Sequence, residues 1–180
     1  GCENSDTLLL TVTPPVVPVF DPTPSVCINS GIANLTTLFA PNPIGGTWSG
    51  TGVSGVNFNP ATAGAGTHTL NYNYGSGTCL VSSTVDIIVH PQPVITATGA
   101  TICAGETALL SVTGAGTGGT YTWTPATGLS CTDCENPAAN PAVTTTYTIT
   151  GTNEFGCSST TTATVTVNPI PVVNAGVDQV

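Results

Sequence analysis

Three stretches of the chain align without a gap: "CENSDTLLLTVTP" from Cys2, "CLVSSTVDIIVHP" from Cys79 and "CSSTTTATVTVNP" from Cys157. A proline closes each block at the same offset from its cysteine, at Pro14, Pro91 and Pro169, and the step from Cys2 to Cys79 nearly equals that from Cys79 to Cys157. A period so nearly constant points to tandem domains of one architecture. It also sets the boundaries. Residues 1–14 read as the last strand of an upstream repeat, 15–91 and 92–169 as two complete repeats, and 170–180 as the start of a further one. In both complete repeats a second cysteine follows the boundary proline at almost the same interval, Cys27 after Pro14 and Cys103 after Pro91.

Both complete repeats carry the period-2 pattern of half-buried strands, with Gly, Pro and Asn between the runs. "THTLNYNY" sets Leu70, Tyr72 and Tyr74 on one face, and "TTYTIT" does the same with Tyr147 and Ile149. "STVDIIVH" sends Val85, Ile87 and Val89 inward, as "TATVTV" sends Ala163, Val165 and Val167. No stretch sustains a helical stripe. The fold class expected is all-β: tandem small β-sandwiches in a rod-like array, with proline-rich joints that restrict φ and leave little slack. Trp48 in "GGTWSGTG" and Trp123 in "TYTWTPA" hold equivalent places. A core tryptophan on the third strand is the expected role, and a sugar-stacking platform is the alternative.

The cysteines follow the strand register. Cys79 shares the parity of Val85 and Ile87, and Cys157 that of Val165 and Val167, so each is expected to begin the core face of its last strand. On that basis Cys27 is paired with Cys79 and Cys103 with Cys157, each bond closing one repeat at ~4 kcal/mol in the chain-entropy model. Cys2 is then the counterpart of Cys79 and Cys157, with its partner expected upstream. Cys131 and Cys134 in "SCTDC" read as a local disulfide pinning a loop. Half a zinc site and a redox dithiol are the alternatives, but no second ligand pair and no βαβ setting stand beside them.

The charge inventory excludes whole classes of function. The chain has no Lys or Arg, nine Asp or Glu and a net charge of −9, and only 5% of its residues are charged. Nucleic-acid binding by counterion release and docking on an anionic membrane both need cations. Schiff-base lysines, arginine clamps, P-loop chemistry and lysine isopeptide staples are equally out of reach. No run of about 18 apolar residues is present to span a membrane. Seven cysteines with so few charges point to an oxidising, extracellular compartment. The two histidines, His68 and His90, read as exposed, and nothing suggests a Ser-His-Asp arrangement. The acids form no calcium loop. They read as solvated surface groups, with calcium near Asp21, Asp133 and Glu135 at a joint as the alternative; no other cofactor is expected. Asn34-Leu-Thr36 is a formal N-glycan sequon.

"GGTWSGTGVSGVNFNPATAGAGTHTLNYNY", "GLSCTDCENPAANPAVTTTYTITGTNEFGC" and "VNPIPVVNAGVDQV" resemble the Ig-like and PKD-like repeats of giant secreted surface proteins of the Bacteroidetes, among them gliding-motility-associated adhesins. The resemblance spans nearly the whole chain. It implies export by the type IX secretion system and a place on the cell surface. Asn174-Ala-Gly-Val-Asp178 resembles the opening of a PKD-like domain, so the last partial repeat differs from its neighbours in this reading. The family's Asp-Ser/Thr-aliphatic pattern makes Thr7, in Asp6-Thr7-Leu8, a candidate O-glycosylation site.

The function expected is structural: a stalk or filament segment of an extracellular adhesin. The partners expected are neighbouring repeats of the same chain and laterally associated copies. Repeats that themselves grip a surface glycan or protein, or that serve a secreted hydrolase as accessory modules, are the alternatives, and no catalysis is expected of this segment. One prediction follows from composition alone. With no Lys or Arg, the chain offers trypsin no cleavage site even when reduced and unfolded. Mass spectrometry after exhaustive digestion should return it intact, and any internal tryptic fragment would contradict the sequence.

Overall fold

The computed structural model describes residues 16–20 and 23–171. The expectations for Cys2, Thr7, Asp21 and residues 1–14, and the PKD-like opening at 174–178, lie outside the described residues. The chain separates into two compact units. Of the described residues, unit 1 holds those up to Val26 together with Ser30–Val89. Unit 2 holds Cys27–Asn29 and everything from His90 onward.

Unit 1 contains β1 (Ser25–Cys27, its cysteine clustering with unit 2), β2 (Ala33–Asn34), α1 (Leu35–Phe39), β3 (Thr47–Ser49), β4 (Val53–Ser54), β5 (Asn57–Phe58), α2 (Pro60–Ala63), β6 (Gly66–Tyr74) and β7 (Val81–His90). One sheet runs β1-β7-β6-β3 and the other β2-β5-β4. The two short helices are the departure from the all-strand expectation, and their starts explain them. Asn34 Oδ1 accepts the Thr36 and Thr37 amides at 2.9 and 3.2 Å. Asn59 Oδ1 accepts those of Ala61 and Thr62 at 3.1 and 3.4 Å, with Pro60 in the first turn. Asparagine caps of this kind satisfy amides that the first turn leaves unpaired. In α1 the i, i+4 pair Leu35 and Phe39 faces inward and is buried.

Unit 2 contains β8 (Thr96–Thr98), β9 (Ala100–Cys103), β10 (Ala108–Leu109), β11 (Ser111–Thr113), β12 (Thr120–Thr124), β13 (Ala138–Ala139), β14 (Thr145–Thr152) and β15 (Ser158–Asn168). Its main sheet, β12-β14-β15-β9, repeats the order of the main sheet of unit 1, with β9 parallel to β15 and the other pairs antiparallel. The pairs β11-β8 and β10-β13 complete the unit. The architecture is all-β, as the periodicity predicts.

The inward parity holds on the long strands. Leu70, Tyr72, Ile87 and Val89 are buried in unit 1, and Tyr147, Ile149, Ala163 and Val165 in unit 2. Trp48 stands opposite Tyr72 and Trp123 opposite Ile149. Around Trp48, Phe20, Phe39 and Tyr72 pack with ring centroids 5.6, 5.4 and 4.7 Å away. Contacts at these separations add to plain area burial.

Among the described residues no polar or charged side chain is fully buried. The tyrosine hydroxyls sit at the edge of the cores and tie loops to them. Tyr72 accepts the Gly46 amide at 2.7 Å and donates to the Pro43 carbonyl at 2.9 Å. Tyr121 accepts the Ala115 amide at 2.9 Å, and Tyr147 donates to the Thr127 carbonyl at 2.8 Å. Burial pushes the Tyr147 phenol above its ordinary value. A group whose folded-state pKa is raised stabilises fully below its unfolded pKa, and the contribution disappears as pH rises through the folded value. Urea unfolding should therefore show stability flat through neutrality and falling above about pH 10. Tyr147→Phe should cost ~1 kcal/mol at pH 7 for the lost hydrogen bond and lose less of its stability in alkali than the parent does.

Candidate functional site

The densest grouping of polar contacts and sulfur in unit 2 lies where the chain enters β15. The turn Asn153–Cys157 sets it up. The Asn153 amide donates to the Cys157 carbonyl at 2.9 Å, and the Gly156 amide to the Asn153 carbonyl at 3.0 Å. Asn153 Oδ1 accepts the Phe155 and Cys157 amides at 3.1 and 2.9 Å, while its Nδ2 donates to the Pro91 carbonyl at 3.2 Å. Asparagine can replace a backbone turn in this way because its side chain bonds its own neighbourhood. The His90 ring lies flat on Phe155, centroids 3.8 Å apart and planes within 7°. Gln92 Nε2 and Asn29 Nδ2 both donate to the Ser158 carbonyl, at 3.0 and 3.4 Å.

At the centre Cys27 is bonded to Cys157, with Cα atoms 5.5 Å apart and a sequence separation of 130. This corrects the pairing expected from sequence. Cys27 does not reach Cys79, and Cys157 does not reach Cys103; Cys79 and Cys103 are both exposed free thiols. Local geometry explains the first error. Parity carries Cys79 to the core face only if β7 begins there. Instead Gly77–Cys79 forms a turn of 3₁₀-helix and β7 begins at Val81, so the thiol lies outside the strand register. Cys157, directly before β15, does keep the parity and is 1% exposed. Cys103 ends β9 on its exposed face, with its amide donating to Glu106 Oε2 at 2.9 Å.

Cys131 and Cys134 are bonded to each other. Their loop is sewn to the core tryptophan. The Trp123 amide donates to the Thr132 carbonyl at 2.8 Å and its Nε1 to the Cys134 carbonyl at 2.9 Å. The loop is therefore positioned by an indole that is itself buried. Trp48 and Trp123, at 6% and 2% exposure, present no stacking face to a sugar, which overturns the platform alternative.

The histidines also differ from the exposed reading. His90 is half-buried by its stack on Phe155, and His68 Nε2 meets the Gly64 carbonyl at 2.8 Å. Asn34 serves as the cap of α1. Among the described residues no three His, Cys, Asp or Glu side chains gather where a metal ion could be held. Among the described residues each unit carries a shallow cleft. That of unit 1, about 320 Å³, is lined by residues including Ile32, Val53, Asn57 and Thr62. That of unit 2, about 250 Å³, includes Pro91, Gln92, Thr117, Glu154 and Phe155. The turn at Asn153 and the stack on Phe155 went unread in the sequence, although "TNEFGC" carries the Asn and Gly of a tight turn.

A disulfide spanning a sequence separation of 130 is worth about 5 kcal/mol in the chain-entropy model, towards the upper end of what such bonds deliver. Cys27→Ser should lower the unfolding midpoint of unit 2 by the equivalent of ~2–5 kcal/mol. Peptide mapping of the oxidised parent with a non-tryptic protease should recover Cys27 linked to Cys157; recovery of Cys27 linked to Cys79 would overturn the assignment.

Comparison with known proteins bears on the second repeat. Residues 90–169 match the family model described as "Ig-like domain CHU_C associated". No curated protein matches the chain. Among solved structures it resembles Sidekick-1 immunoglobulin domains 1-4, at 15% identity and a TM-score of 0.36, covering 84% of this chain and 48% of that one. It also resembles the tandem Ig repeats of Dlar, at 17% identity and a TM-score of 0.34, covering 85% and 98%, and DIP-gamma IG1+IG2, at 10% and 0.38, covering 84% and 98%. The chain thus spans about half the length of the Sidekick-1 structure. The strand order of each unit and the family match together describe an all-β chain whose residues 90–169 match the model of an Ig-like domain, CHU_C associated.

Proposed function

We propose that the chain is a structural segment, a stalk or filament piece, of a large extracellular adhesin at the cell surface. The observation that carries this is the recurrence of one main-sheet order, β1-β7-β6-β3 and β12-β14-β15-β9, at the sequence period that separates Cys79 from Cys157, each copy with its own core. A design of this kind extends by adding copies, because each unit folds on contacts within itself. The disulfides and the family match of residues 90–169 support an oxidising, extracellular setting. Export by the type IX route and a partner presented by a distal domain belong to the same reading.

The proposal is tested by pulling the chain from its two ends. A load-bearing repeat resists force and then gives way as a unit. With the disulfides reduced, the extension should show one event per complete repeat, each releasing roughly 250–280 Å of extended chain. Smooth extension without events would overturn the stalk reading. So would specific, saturable retention of the isolated chain on a glycan or protein surface, which would favour direct adhesion.

A further inference from the structure

Cys27 and Cys157, bonded to each other, and the free Cys103 and Cys79 occupy corresponding positions in the order of their repeats. Cys27 ends β1 and Cys103 ends β9, the strand beside the last strand of each main sheet. The residue after each makes the same bond: the Ile28 amide donates to the His90 carbonyl and the Ala104 amide to the Asn168 carbonyl, both at 2.9 Å. Cys79 stands shortly before β7, and Cys157, one sequence period later, directly before β15. In the bond formed between these two kinds of cysteine, the member that ends the strand beside a last strand is joined to the member that precedes the last strand of the following repeat. Cys103 is a further example of the first kind and Cys79 of the second, and both are exposed and free.

We propose that Cys103 and Cys79 are half-sites of this same staggered bond. Cys103 takes the cysteine that precedes the last strand of the repeat following it in series, and Cys79 takes the cysteine that ends the strand beside the last strand of the repeat before it. The cystines of such an array would not close individual repeats. Each would link one repeat to the next, 130 residues along in the observed case, so the bonds overlap along the chain. Formation is an ordinary thiol oxidation. Two thiols lose two protons and two electrons to a small disulfide such as oxidised glutathione, which leaves as two thiols. The partner, another repeat of this type, comes from the serial reading above, on which the assignment rests. Its test reads connectivity instead of mechanical resistance, so either can fail while the other stands.

The test has two arms, both with Cys2→Ser to remove the remaining cysteine. In the first, the 180-residue chain is refolded in glutathione redox buffer at low and high concentration. At low concentration Cys79 and Cys103 should both take up an alkylating label. At high concentration Cys103 of one copy should appear bonded to Cys79 of another. In the second arm a tandem chain is made in which residue 169 is followed by a second residues 15–180. Its first Cys79 and second Cys103 are changed to serine. This places the remaining Cys79 one residue further from Cys103 than the 130 of the observed bond. Disulfide mapping should find these two joined, and at least about tenfold more completely than in the untethered mixture, since tethering raises the effective concentration of the partner. A bond formed only between separate chains would assign the site to a second copy and overturn the assignment to the next repeat. Cys103 fully alkylated in the tandem chain, Cys79 joined to Cys103 within one copy, or like-with-like dimers in statistical amounts would overturn the inference altogether.

Discussion

Each unit hangs on the pairing of its two longest strands. β6 and β7 match from Gly66 opposite Val89 to Tyr74 opposite Val81, and β14 and β15 from Thr145 opposite Val165 to Thr152 opposite Ser158. That ribbon fixes which side chains face inward, because a slip of one residue would turn every one of them to solvent. The tryptophan strand pairs on one side of it, and the strand that ends in Cys27 or Cys103 lies on the other. The tyrosines of β6 and β14 then reach out to hold the loops.

What the sequence makes legible is what period-2 alternation encodes. Ile87, Val89, Tyr147, Ile149, Ala163 and Val165 face inward as their parity requires, and the two tryptophans are in the core. Parity holds only while a strand continues. It fails at Cys79, where a turn of 3₁₀-helix intervenes before β7. The short helices escape the pattern for a related reason. A single turn leaves too few positions for a 3.6-residue stripe, and its signal is the capping asparagine, Asn34 or Asn59. The disulfide assignment fails on a different ground. Pairing each early cysteine with the later one of its own repeat assumes that repeats close on themselves in sequence. Cys27–Asn29 belongs in space with residues from His90 onward, and sequence spacing alone does not encode that displacement.

The candidate site shows the same division. Cys157 keeps the register that its parity predicts, and the two cysteines of the CxxC loop are joined to each other. The contacts that organise the region around Cys157 come instead from unremarkable residues. Asn153, Gln92 and Asn29 act through amide groups on backbone carbonyls and amides. Such bonds depend on where the backbone runs, so they become visible only once the turn is built.

The cation-free composition has a consequence for how the fold meets its medium. Cross-strand contacts on the outer faces include hydroxyl pairs, Thr96 with Thr113 and Thr98 with Ser111 at 3.0 Å and Thr146 with Thr164 at 2.9 Å, and a hydroxyl on a carboxylate, Thr69 donating to Asp86 at 2.7 Å. With no Lys or Arg, attraction between opposite side-chain charges contributes almost nothing that dissolved salt can weaken. What salt can screen is the mutual repulsion of nine carboxylates. Ionic strength therefore acts in one direction on this chain. Brine relieves the folded state of self-repulsion and takes nothing from it, the opposite of what happens to a protein held together at its surface by ion pairs.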